Sequence, residues 1–498
     1  MSSENQIVQE RKKKFEEWKA LGFSYAEKFD RTHTSAQALK TTQKEKLRDI
    51  DTLLTSPKKE VRMCGRIMNL RDMGSLSFVK IRDKDGDFQI CFSKNVLGEK
   101  YKPLLRILDL GDFVGCSGEF FITKHGEPTL LAVEVMPLAK TLRPLPEKFH
   151  GLCDTESCYR QRYLDLMNNR ETFERFQIRS KIVREIRDFL EKKDFVEVET
   201  RVLQPQAGGA MAKVFSTHHE ALDHDFVLRI ALELDLKMLI GGGMERVFEI
   251  GKCFRNEGMD PSHLQEFTML EWYAAYANLE TNMEWTEDMI RTALKNVLGT
   301  TKVSILDKEE KPVLVDFGKK WKHLRFSELL QKYAEIDMFT IKRKELETAA
   351  KKWGMIEKEI LKTGDANLLD FIYKKSARPL LIEPTFVMDY PSSLKPLARP
   401  KANGTAECFQ LLVGGWEIVN SYGELIDPQI QRELLEDQAR AKAAGDAEAM
   451  EFDEEFILAM EHGFPPMTGF GMGIDRFLTL ITKQTNLRDT VLFPLMKP

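Results

Sequence analysis

Residues 248–276 read FEIGKCFRNEGMDPSHLQEFTMLEWYAAY, and this stretch predicts two strands joined by a loop. The triplet Arg-Asn-Glu at 255–257 follows the first strand-like run, and His263 lies in the loop. The second strand-like run, at 267–272, carries another acid, Glu271. Paired strands would bring a guanidinium, an imidazole and carboxylates around one ligand. The planar fork of Arg suits bidentate binding of carboxylate or phosphate oxygens, so the stretch predicts a site for an anionic ligand.

A second informative stretch, residues 469–476, reads GFGMGIDR and opens an apolar helical pattern that continues to Ile481. Glycines let the backbone approach a ligand closely, and the Arg would fall in the first turn of the helix. The pattern is not a Walker loop, because no Gly-Lys-Ser/Thr follows and no clear βαβ unit precedes it. The stretch instead predicts that the glycine backbone and the Arg476 side chain contact a ligand at the start of the helix.

The length and composition indicate a globular protein of two or three domains. The chain has 498 residues, of which 42% are hydrophobic and 31% charged. It contains no apolar run of the length that a membrane span needs, and its N-terminus lacks the apolar core of a signal peptide. We therefore expect a cytoplasmic protein with no membrane span.

The cysteines and the net charge argue against a disulfide framework, a zinc site and a surface dominated by nucleic acid. Seven cysteines in so long a chain predict no disulfide framework. Cys153 and Cys158 are the closest pair, and since no second pair follows at zinc spacing, we expect no zinc. The net charge of −4 argues against a surface dominated by nucleic acid. Basic clusters at 11–14 and 40–48 are either solvated helix faces or local RNA contacts.

The residue patterns divide the chain into four segments. Residues 1–59 are charged and predict an N-terminal helical extension, whereas 60–140 show about five short alternating strands with an Asp85-Gly86 turn, as in a small closed barrel of OB type. Residues 141–170 begin with a proline-rich stretch and predict a linker. Residues 171–498 alternate helices and strands, with a lysine-rich and mostly helical insertion at about 306–380.

These stretches resemble a known enzyme family. Residues 248–276 resemble motif 2 of the class II aminoacyl-tRNA synthetases, and 469–476 resemble motif 3. The helical pattern at 173–191 and the strand pattern at 195–200 together resemble motif 1, the dimer-forming element. Nearly the whole chain resembles the bacterial-type class II lysyl-tRNA synthetases, on LRPLPEKFHGL at 142–152, YRQRYLDL at 159–166, AGGA at 207–210, the run from His218 to Leu239, WEIVNSYGEL at 416–425 and RDTVLFPLMKP at 488–498. The resemblance implies an α+β fold: an N-terminal OB-fold β-barrel that binds the anticodon, then a catalytic domain with an antiparallel sheet flanked by helices, in a homodimer.

The resemblance also implies a site for L-lysine. Lysine carries two ammonium groups and one carboxylate, so its site needs acids and a base. By resemblance Glu233 holds the α-ammonium, Glu424 and Tyr273 take the ε-ammonium, and Arg255 and Asn420 take the carboxylate. The lysine-binding residues that we expect are Gly209, Glu233, Arg255, Glu271, Tyr273, Asn420, Tyr422 and Glu424.

The same resemblance implies a neighbouring ATP site. Arg255 and Arg476 would clamp the α- and γ-phosphates, Glu257 would read the adenine amino group, and Glu417 would bind Mg²⁺, a cation that prefers oxygen ligands. Arg255, Glu257 and Arg476 are the expected catalytic residues. The ATP-binding residues that we expect are Arg255, Glu257, His263, Phe267, Glu417, Gly473 and Arg476.

The implied reaction joins lysine to tRNA(Lys) through a lysyl-adenylate. In the barrel, Phe78 matches a residue that stacks on an anticodon base, although an aromatic residue on a strand is more often part of the core. Arg71, Gln89 and Glu127 match polar readers of the anticodon.

Two positions depart from the family pattern. Gln410 replaces a second metal-binding Glu that the family usually has seven residues before Glu417, which predicts weaker metal binding. Arg201 follows Thr200 where motif 1 normally has a proline, which leaves the local geometry of the dimer contact open.

Three other functions compete with an active lysine–tRNA ligase. A catalytically impaired, tRNA-binding paralogue would agree with Gln410, but not with retention of the two arginines. A transferase that lysylates proteins would lack the barrel. Specificity for aspartate or asparagine conflicts with Glu271 and Glu424, which would repel a carboxylate side chain.

Overall fold

The computed structural model describes residues 3–146, 154–206, 208–210, 212–443 and 450–497. Cys153 and the end of the 142–152 stretch lie outside these residues. The chain divides into two compact units, Met1–Gly151 and Leu152–Pro498.

The first unit is a closed barrel with helices around it. Its strands are β1 (Val61–Asp72), β2 (Leu76–Arg82), β3 (Asp87–Ser93), β4 (Phe113–Ile122) and β5 (Pro128–Ala139). Its helices are α1 (Ser3–Ala20), α2 (Ser35–Lys44), α3 (Ile50–Thr55), α4 (Lys94–Leu97) and α5 (Tyr101–Ile107).

The barrel closes in the strand order β1-β2-β3-β5-β4, which confirms the predicted OB-type architecture. Alternation along β2 shows how the sequence directs it: Val79 and Ile81 point into the core, while Phe78 and Lys80 are only partly buried. The Asp85-Gly86 turn joins β2 to β3, as predicted.

The N-terminal basic cluster is partly structural. Arg11 is 8% exposed and donates to the carbonyl oxygens of Thr141 and Arg143 at 3.0 and 3.1 Å. Lys14 forms a 2.6 Å ion pair with Asp109. These two cations of the 11–14 cluster therefore hold α1 against the barrel unit.

The second unit is a mixed sheet flanked by helices. Its strands are β6 (Val196–Glu197), β7 (Leu203–Gln204), β8 (Ser216–His219), β9 (His224–Leu228), β10 (Arg246–Phe254), β11 (Glu266–Ala275), β12 (Lys302–Leu306), β13 (Pro312–Asp316), β14 (Lys322–Arg325), β15 (Thr385–Met388), β16 (Cys408–Val413), β17 (Trp416–Gly423) and β18 (Met467–Gly473). Its helices are α6 (Thr155–Arg160), α7 (Arg162–Asn168), α8 (Arg170–Glu191), α9 (Glu233–Gly241), α10 (Leu279–Leu298), α11 (Phe326–Ala334), α12 (Arg343–Lys352), α13 (Glu357–Ile360), α14 (Asp365–Ser376), α15 (Pro428–Ala443), α16 (Glu454–Glu461) and α17 (Ile474–Ile481).

The main sheet has eight strands in the order β14-β15-β16-β17-β18-β11-β10-β6. The six inner strands are antiparallel, and the outer strands β14 and β6 pair in parallel with their neighbours. One face packs on α8 and α10 around Trp272, whose indole stacks on Phe470 with ring centroids 3.4 Å apart. The predicted antiparallel sheet flanked by helices is confirmed.

Much of the expected linker at 141–170 is packed structure. Helices α6 and α7 occupy 155–168, and Tyr159 donates to Asp489 at 3.1 Å. Arg162 is 1% exposed and donates to the carbonyl oxygens of Arg488 and Leu492 at 3.0 and 3.1 Å. The proline-rich sequence at 142–146 does not reveal these distant partners.

Two further expectations need correction. The segment at 306–380 is helical only from Phe326 onward, because its first part forms β13 and β14, and β14 joins the main sheet. The strand expected at 195–200 is reduced to β6, since Thr200 donates from its backbone N–H and its hydroxyl to Glu249 at 3.1 and 2.7 Å instead of extending the ladder.

No helix within the described part of the chain has the length and apolar composition that crossing a bilayer requires.

Candidate active site

The strand pair β10–β11 and its loop form one wall of the site, as the sequence predicted. Residues 246–254 pair antiparallel with 266–275, and the Arg255 N–H donates to the Gln265 carbonyl at 2.9 Å, which closes the loop. In the loop, Asp260 accepts from the Ser262 N–H and contacts His263 Nδ1, both at 2.7 Å. These bonds lower the pKa of Asp260 to about 2 against the opposing effect of burial. The loop therefore carries an ionised acid that holds His263.

The glycine-rich run is strand β18 followed directly by α17, so Arg476 lies in the first turn of a helix, as predicted. Asp475 anchors this junction, because it accepts from the Thr268 N–H at 2.7 Å and pairs with Arg179. Gly469 must lack a side chain, since a methyl group there would lie 2.2 Å from Glu424 Oε1 and 2.3 Å from the Tyr273 ring.

These elements surround a cavity of about 330 Å³. Every residue expected for the lysine and ATP sites lines it, and only the expected metal ligand Gln410 does not. The expected residues that line the cavity are Gly209, Glu233, Arg255, Glu257, His263, Phe267, Glu271, Tyr273, Glu417, Asn420, Tyr422, Glu424, Gly473 and Arg476.

One part of the cavity, which we call the carboxylate end, contains Glu233, Glu271, Glu424 and Tyr273. The three carboxylates are 7%, 4% and 0% exposed. Burial raises the pKa of Glu271 to about 7, and repulsion from Glu233 adds to this shift. Burial also raises the pKa of Glu424, against the opposing effect of the Lys237 ammonium. Such a group of buried acids favours a cationic ligand.

The acids of the carboxylate end are held from several directions. Glu271 accepts from the Leu232 N–H at 3.2 Å and from the Tyr273 hydroxyl at 3.1 Å. The buried ammonium of Lys237 lies 2.6 Å from Glu233 and also contacts Glu424. Donors on α9, on the segment before it and on β11 therefore fix the acids before any ligand binds.

Asn420 and Tyr422 lie beside the carboxylate end on β17. The Asn420 amide donates to the Tyr422 hydroxyl, and Lys395 Nζ lies 3.3 Å from Asn420 Oδ1. Gly209 lies beside Glu233 with a backbone φ of +79°, and a methyl group there would come 3.2 Å from the Glu233 Cβ. Glycine is therefore favoured at that position.

The other part of the cavity, which we call the guanidinium end, contains Arg255, Arg476, Phe267 and Glu417. The Arg255 guanidinium lies 5.1 Å from the Phe267 ring centroid, and Arg476 donates to the Glu417 carbonyl at 3.0 Å. Burial disfavours the charge on Glu417, but Arg378 and Arg476 outweigh it and hold the pKa of this carboxyl below its usual value. Burial in turn lowers the pKa of Arg476 from its ordinary value. This end combines two cations with one ionised acid.

The residues around Glu417 fit a hard cation only in part. Glu417 lines the cavity and offers an ionised carboxylate. Gln410 is buried outside the lining, and its amide oxygen accepts from the Tyr390 hydroxyl at 2.7 Å. Among the described side chains, no group of three or more His, Cys, Asp or Glu is placed to hold a metal ion.

Sequence reasoning missed three residues of the site. Lys237 could have been suspected from its i,i+4 spacing to Glu233, which places both on one helix face. Asp260 lies three residues before His263 in the same loop, so this local spacing could have indicated it. Lys395 carries no local signal, because its partner Asn420 comes close only through the fold.

The barrel unit has its own groove, of about 510 Å³, lined by Arg71, Phe78, Gln89 and Glu127 as expected. Arg71 and Phe78 are directly opposite on β1 and β2, so their side chains share a face. Gln89 donates to Thr129 at 2.9 Å. Further polar residues that line the groove are Asn69, Lys80, Thr123, Lys124 and His125.

The fold and the site agree with two family models. Residues 154–497 match the tRNA synthetases class II (D, K and N), and residues 61–138 match the OB-fold nucleic acid binding domain. The chain belongs to the class II tRNA synthetase family.

Individual relatives narrow the comparison. Three curated proteins named Lysine--tRNA ligase are similar along nearly the whole chain. The protein of Dehalococcoides mccartyi strain CBDB1 is 41% identical over 99% of this chain and 98% of its own length. That of Enterobacter sp. strain 638 is 42% identical over 99% and 97%, and that of Lactococcus lactis subsp. lactis strain IL1403 is 40% identical over 99% and 99%.

Proposed function

We propose that this chain activates L-lysine with ATP to form lysyl-adenylate and transfers the lysyl group to the 3′ end of tRNA(Lys). One observation supports the assignment above all others: a single cavity combines a group of buried carboxylates with a pair of guanidinium groups. Nearly full-length similarity to proteins named Lysine--tRNA ligase supports the same function.

The charges of the carboxylate end match lysine. Three buried carboxylates face one resident ammonium, that of Lys237, and the two ammonium groups of lysine would supply the missing positive charges. A carboxylate side chain would instead add to the repulsion, which disfavours aspartate as substrate. Glu233 would bind the α-ammonium, and Glu424 with Tyr273 the ε-ammonium.

The guanidinium end suits the nucleotide. Arg255 adjoins both ends, so it would contact the lysine carboxylate and the α-phosphate together, and Arg476 would bind the γ-phosphate. Phe267 would stack on the adenine, Glu257 would accept from its amino group, and Asn420 would help to orient the lysine carboxylate. Gly473 leaves space for the phosphates beside α17, and His263 would approach the β- and γ-phosphates from the loop.

The chemistry needs positioning and charge neutralisation more than a protein nucleophile. A lysine carboxylate oxygen attacks the α-phosphorus in line as the bond to pyrophosphate breaks. Arg255 and Arg476 neutralise the charge that develops on the phosphate oxygens. The terminal hydroxyl of the tRNA then attacks the adenylate carbonyl, and AMP leaves.

Mg²⁺ would enter with ATP and shield its phosphate oxygens. Glu417 is the residue that we propose to hold it, because its carboxylate is ionised and lines the cavity. Gln410 would not take part from its present position, since Tyr390 already uses its amide oxygen.

The barrel groove would bind the anticodon. Phe78 would stack on a base, while Arg71, Gln89 and Glu127 would contact base edges and backbone. Phe78→Ala should raise the KM for tRNA about tenfold, because stacking on one base is worth about 1–3 kcal/mol, and should leave lysine-dependent pyrophosphate exchange unchanged. Kinetics of both steps on one preparation measure this difference. A parallel loss of both steps in a folded variant would contradict the division of labour.

A homodimer is also part of the proposal. Val196, in the segment that resembles motif 1, is 51% exposed, and Val202 and Leu203, just after that segment, are 40% and 46% exposed. A second copy would cover this apolar surface. Light scattering should give the mass of two chains.

Charging of tRNA tests the proposed function. The protein should attach radiolabelled lysine to a tRNA(Lys) transcript but not to a transcript whose anticodon is changed to that of tRNA(Asp). A folded protein that binds the tRNA without charging it would instead support the impaired paralogue. Within the described residues nothing favours that reading, since Arg255, Glu257, Glu417 and Arg476 all line the cavity.

A further inference from the structure

Lys237 is a fully buried cation next to the site. It lies on α9 one turn after Glu233 and is 0% exposed. Its ammonium lies 2.6 Å from Glu233 and contacts Glu424, and it is 5.8 Å from the Tyr273 ring centroid. Glu233 and Glu424 line the cavity, whereas Lys237 is not among the described lining residues. Lys237 therefore contacts the two acids from the protein interior and not from the cavity.

We propose that Lys237 is a positioning residue for lysine selection: its one ammonium holds the carboxylates of Glu233 and Glu424 in place and ionised, and so sets where the two ammonium groups of the substrate can bind. The inference rests on the proposed function, because it takes these two acids as the partners of lysine. Lys237 itself would not touch the substrate.

The shared contact is the first argument. The Lys237 ammonium donates to Glu233 and forms an ion pair with Glu424. An ammonium is a compact charge, so two carboxylates paired with the same nitrogen are held close to one another. Glu233 sits at the start of α9, whereas Glu424 follows β17, so these acids come from elements far apart in sequence. Lys237 is the direct link between them.

The surrounding charges give the second argument. Glu424 is faced by Glu233 and Lys237 of α9, by Glu271 and Tyr273 of β11 and by Tyr422 of β17, while Arg399 approaches its carbonyl oxygen at 3.5 Å. Of these named side chains, Lys237 is the cation that meets the carboxylate itself, whereas Glu233, Glu271 and the two tyrosines are acidic or neutral. Without that ammonium, the buried carboxylates would repel one another and take up protons, and a protonated acid binds an ammonium poorly.

The third argument comes from the closeness of packing. The carboxylate of Glu424 lies against Gly469 and Tyr273, where even one added methyl group would clash. The acid therefore has little freedom to find another position. A neutral side chain at position 237 would therefore leave the negative charge of Glu424 buried and without its cationic partner.

The test compares Lys237→Met with the wild type in lysine-dependent pyrophosphate exchange between pH 6 and 9. The variant should raise the KM for lysine about 100-fold at pH 7, as expected when a buried charge loses its partner, with the KM for ATP changed less than about twofold. Its KM for lysine should fall about tenfold per pH unit as the acids deprotonate, more steeply than in the wild type. Its preference for lysine over ornithine should fall about tenfold, because the acids are no longer fixed.

Two controls keep the result interpretable. Lys252→Met removes a partly exposed lysine that lies outside the cavity lining and pairs with Glu266 at 3.2 Å on the neighbouring strand, so it should leave every parameter unchanged. Lys237→Arg keeps the charge but displaces it, so it should retain the wild-type pH slope while discrimination against ornithine stays impaired. If circular dichroism shows that Lys237→Met does not fold, the Lys237→Arg variant alone tests the proposal, through its pH slope and its discrimination against ornithine.

The outcomes separate this inference from the proposed function. If the wild type shows no lysine-dependent exchange, the proposed function fails. If the wild type is active but Lys237→Met keeps its pH slope and its preference over ornithine, or raises both KM values equally, only the role of Lys237 fails. A steep pH dependence in Lys237→Arg would also overturn it.

Discussion

The two ends of the cavity solve different recognition problems. At the carboxylate end, Glu233, Glu271 and Glu424 are at most 7% exposed, and a buried lysine holds two of them. At the guanidinium end, Arg255 and Arg476 are only partly buried, and their polar contacts are to backbone carbonyl oxygens. Their guanidinium groups therefore keep donors available for a ligand.

The difference reflects the two substrates. Lysine differs from other amino acids chiefly by one distal ammonium, and a charge contact discriminates strongly only where water is excluded. ATP brings many charges and a large base, so it can be bound by a few arginines and an aromatic ring in a more open site. The buried end should thus decide which amino acid reacts, and the open end whether the reaction proceeds.

Removing Arg255 should have the largest effect, because on the proposed function this guanidinium would contact the reactants of both ends. Arg255→Ala should lower the rate of lysine-dependent pyrophosphate exchange about a thousandfold, the loss typical of a group that stabilises transition-state charge. Single-turnover formation of adenylate measures it. Lys252→Met serves as a matched control for the removal of a cation from the same unit. Near-normal exchange in a folded Arg255→Ala would abolish the distinction between the two ends.

Glu424→Gln tests the buried end alone. The amide keeps the shape but loses the charge that would face the ε-ammonium, so the KM for lysine should rise about 10–100-fold, in keeping with about 1.5–3 kcal/mol for a charge-assisted bond. The KM for ATP should stay within about twofold, because the nucleotide would bind at the other end. Steady-state exchange kinetics give both constants. Equal changes in both would show that the ends are not separable.

The pH dependence of binding should also differ between the ends. Burial and repulsion from Glu233 raise the pKa of Glu271 to about 7, so this acid is largely protonated below that value and must ionise to face an ammonium. The Kd for lysine should therefore fall about tenfold from pH 6 to pH 8. The free protein should lose stability as the pH rises from about 4.5, the ordinary value, to about 7, because the folded state binds the Glu271 proton more tightly than the unfolded state, and saturating lysine should restore it. Calorimetric titration and thermal unfolding with and without lysine measure the two effects. A pH-independent Kd for lysine would contradict the ionisation of Glu271 on binding.

Gln410→Glu should have the smallest effect. Gln410 is buried outside the cavity lining and bonded to Tyr390, so a carboxylate there should change the Mg²⁺ concentration for half-maximal exchange by no more than about threefold. A Mg²⁺ titration of both proteins measures this. A change of tenfold or more would place position 410 in metal binding after all.

The sequence was most informative in short stretches that carry both a secondary-structure pattern and the residues of the site. The spacing of Arg255, Glu271 and Arg476, together with the family resemblance, was enough to predict two strands, a helix start and a shared cavity, and the structure brings these residues to one cavity. The alternation in β2 was likewise enough to predict a barrel strand.

The sequence was least informative where a residue depends on distant partners. Lys237 reads as an ordinary helical lysine until the fold brings Glu424 to it. The burial of Arg162 depends on carbonyl oxygens more than 300 residues away, which the linker-like composition of the stretch before it does not reveal. The side-chain amide of Gln410 accepts a hydrogen bond from the Tyr390 hydroxyl, and no local sequence pattern indicates that contact.

Pyrophosphate exchange with each amino acid tests the central claim most directly, that buried acids select lysine while paired guanidiniums bind ATP. Exchange should be rapid with lysine and weaker by about two orders of magnitude or more with ornithine, arginine, aspartate and asparagine, because each of these leaves a buried charge unpaired or misplaced. Equal exchange with lysine and aspartate, or exchange that depends on no amino acid, would contradict it.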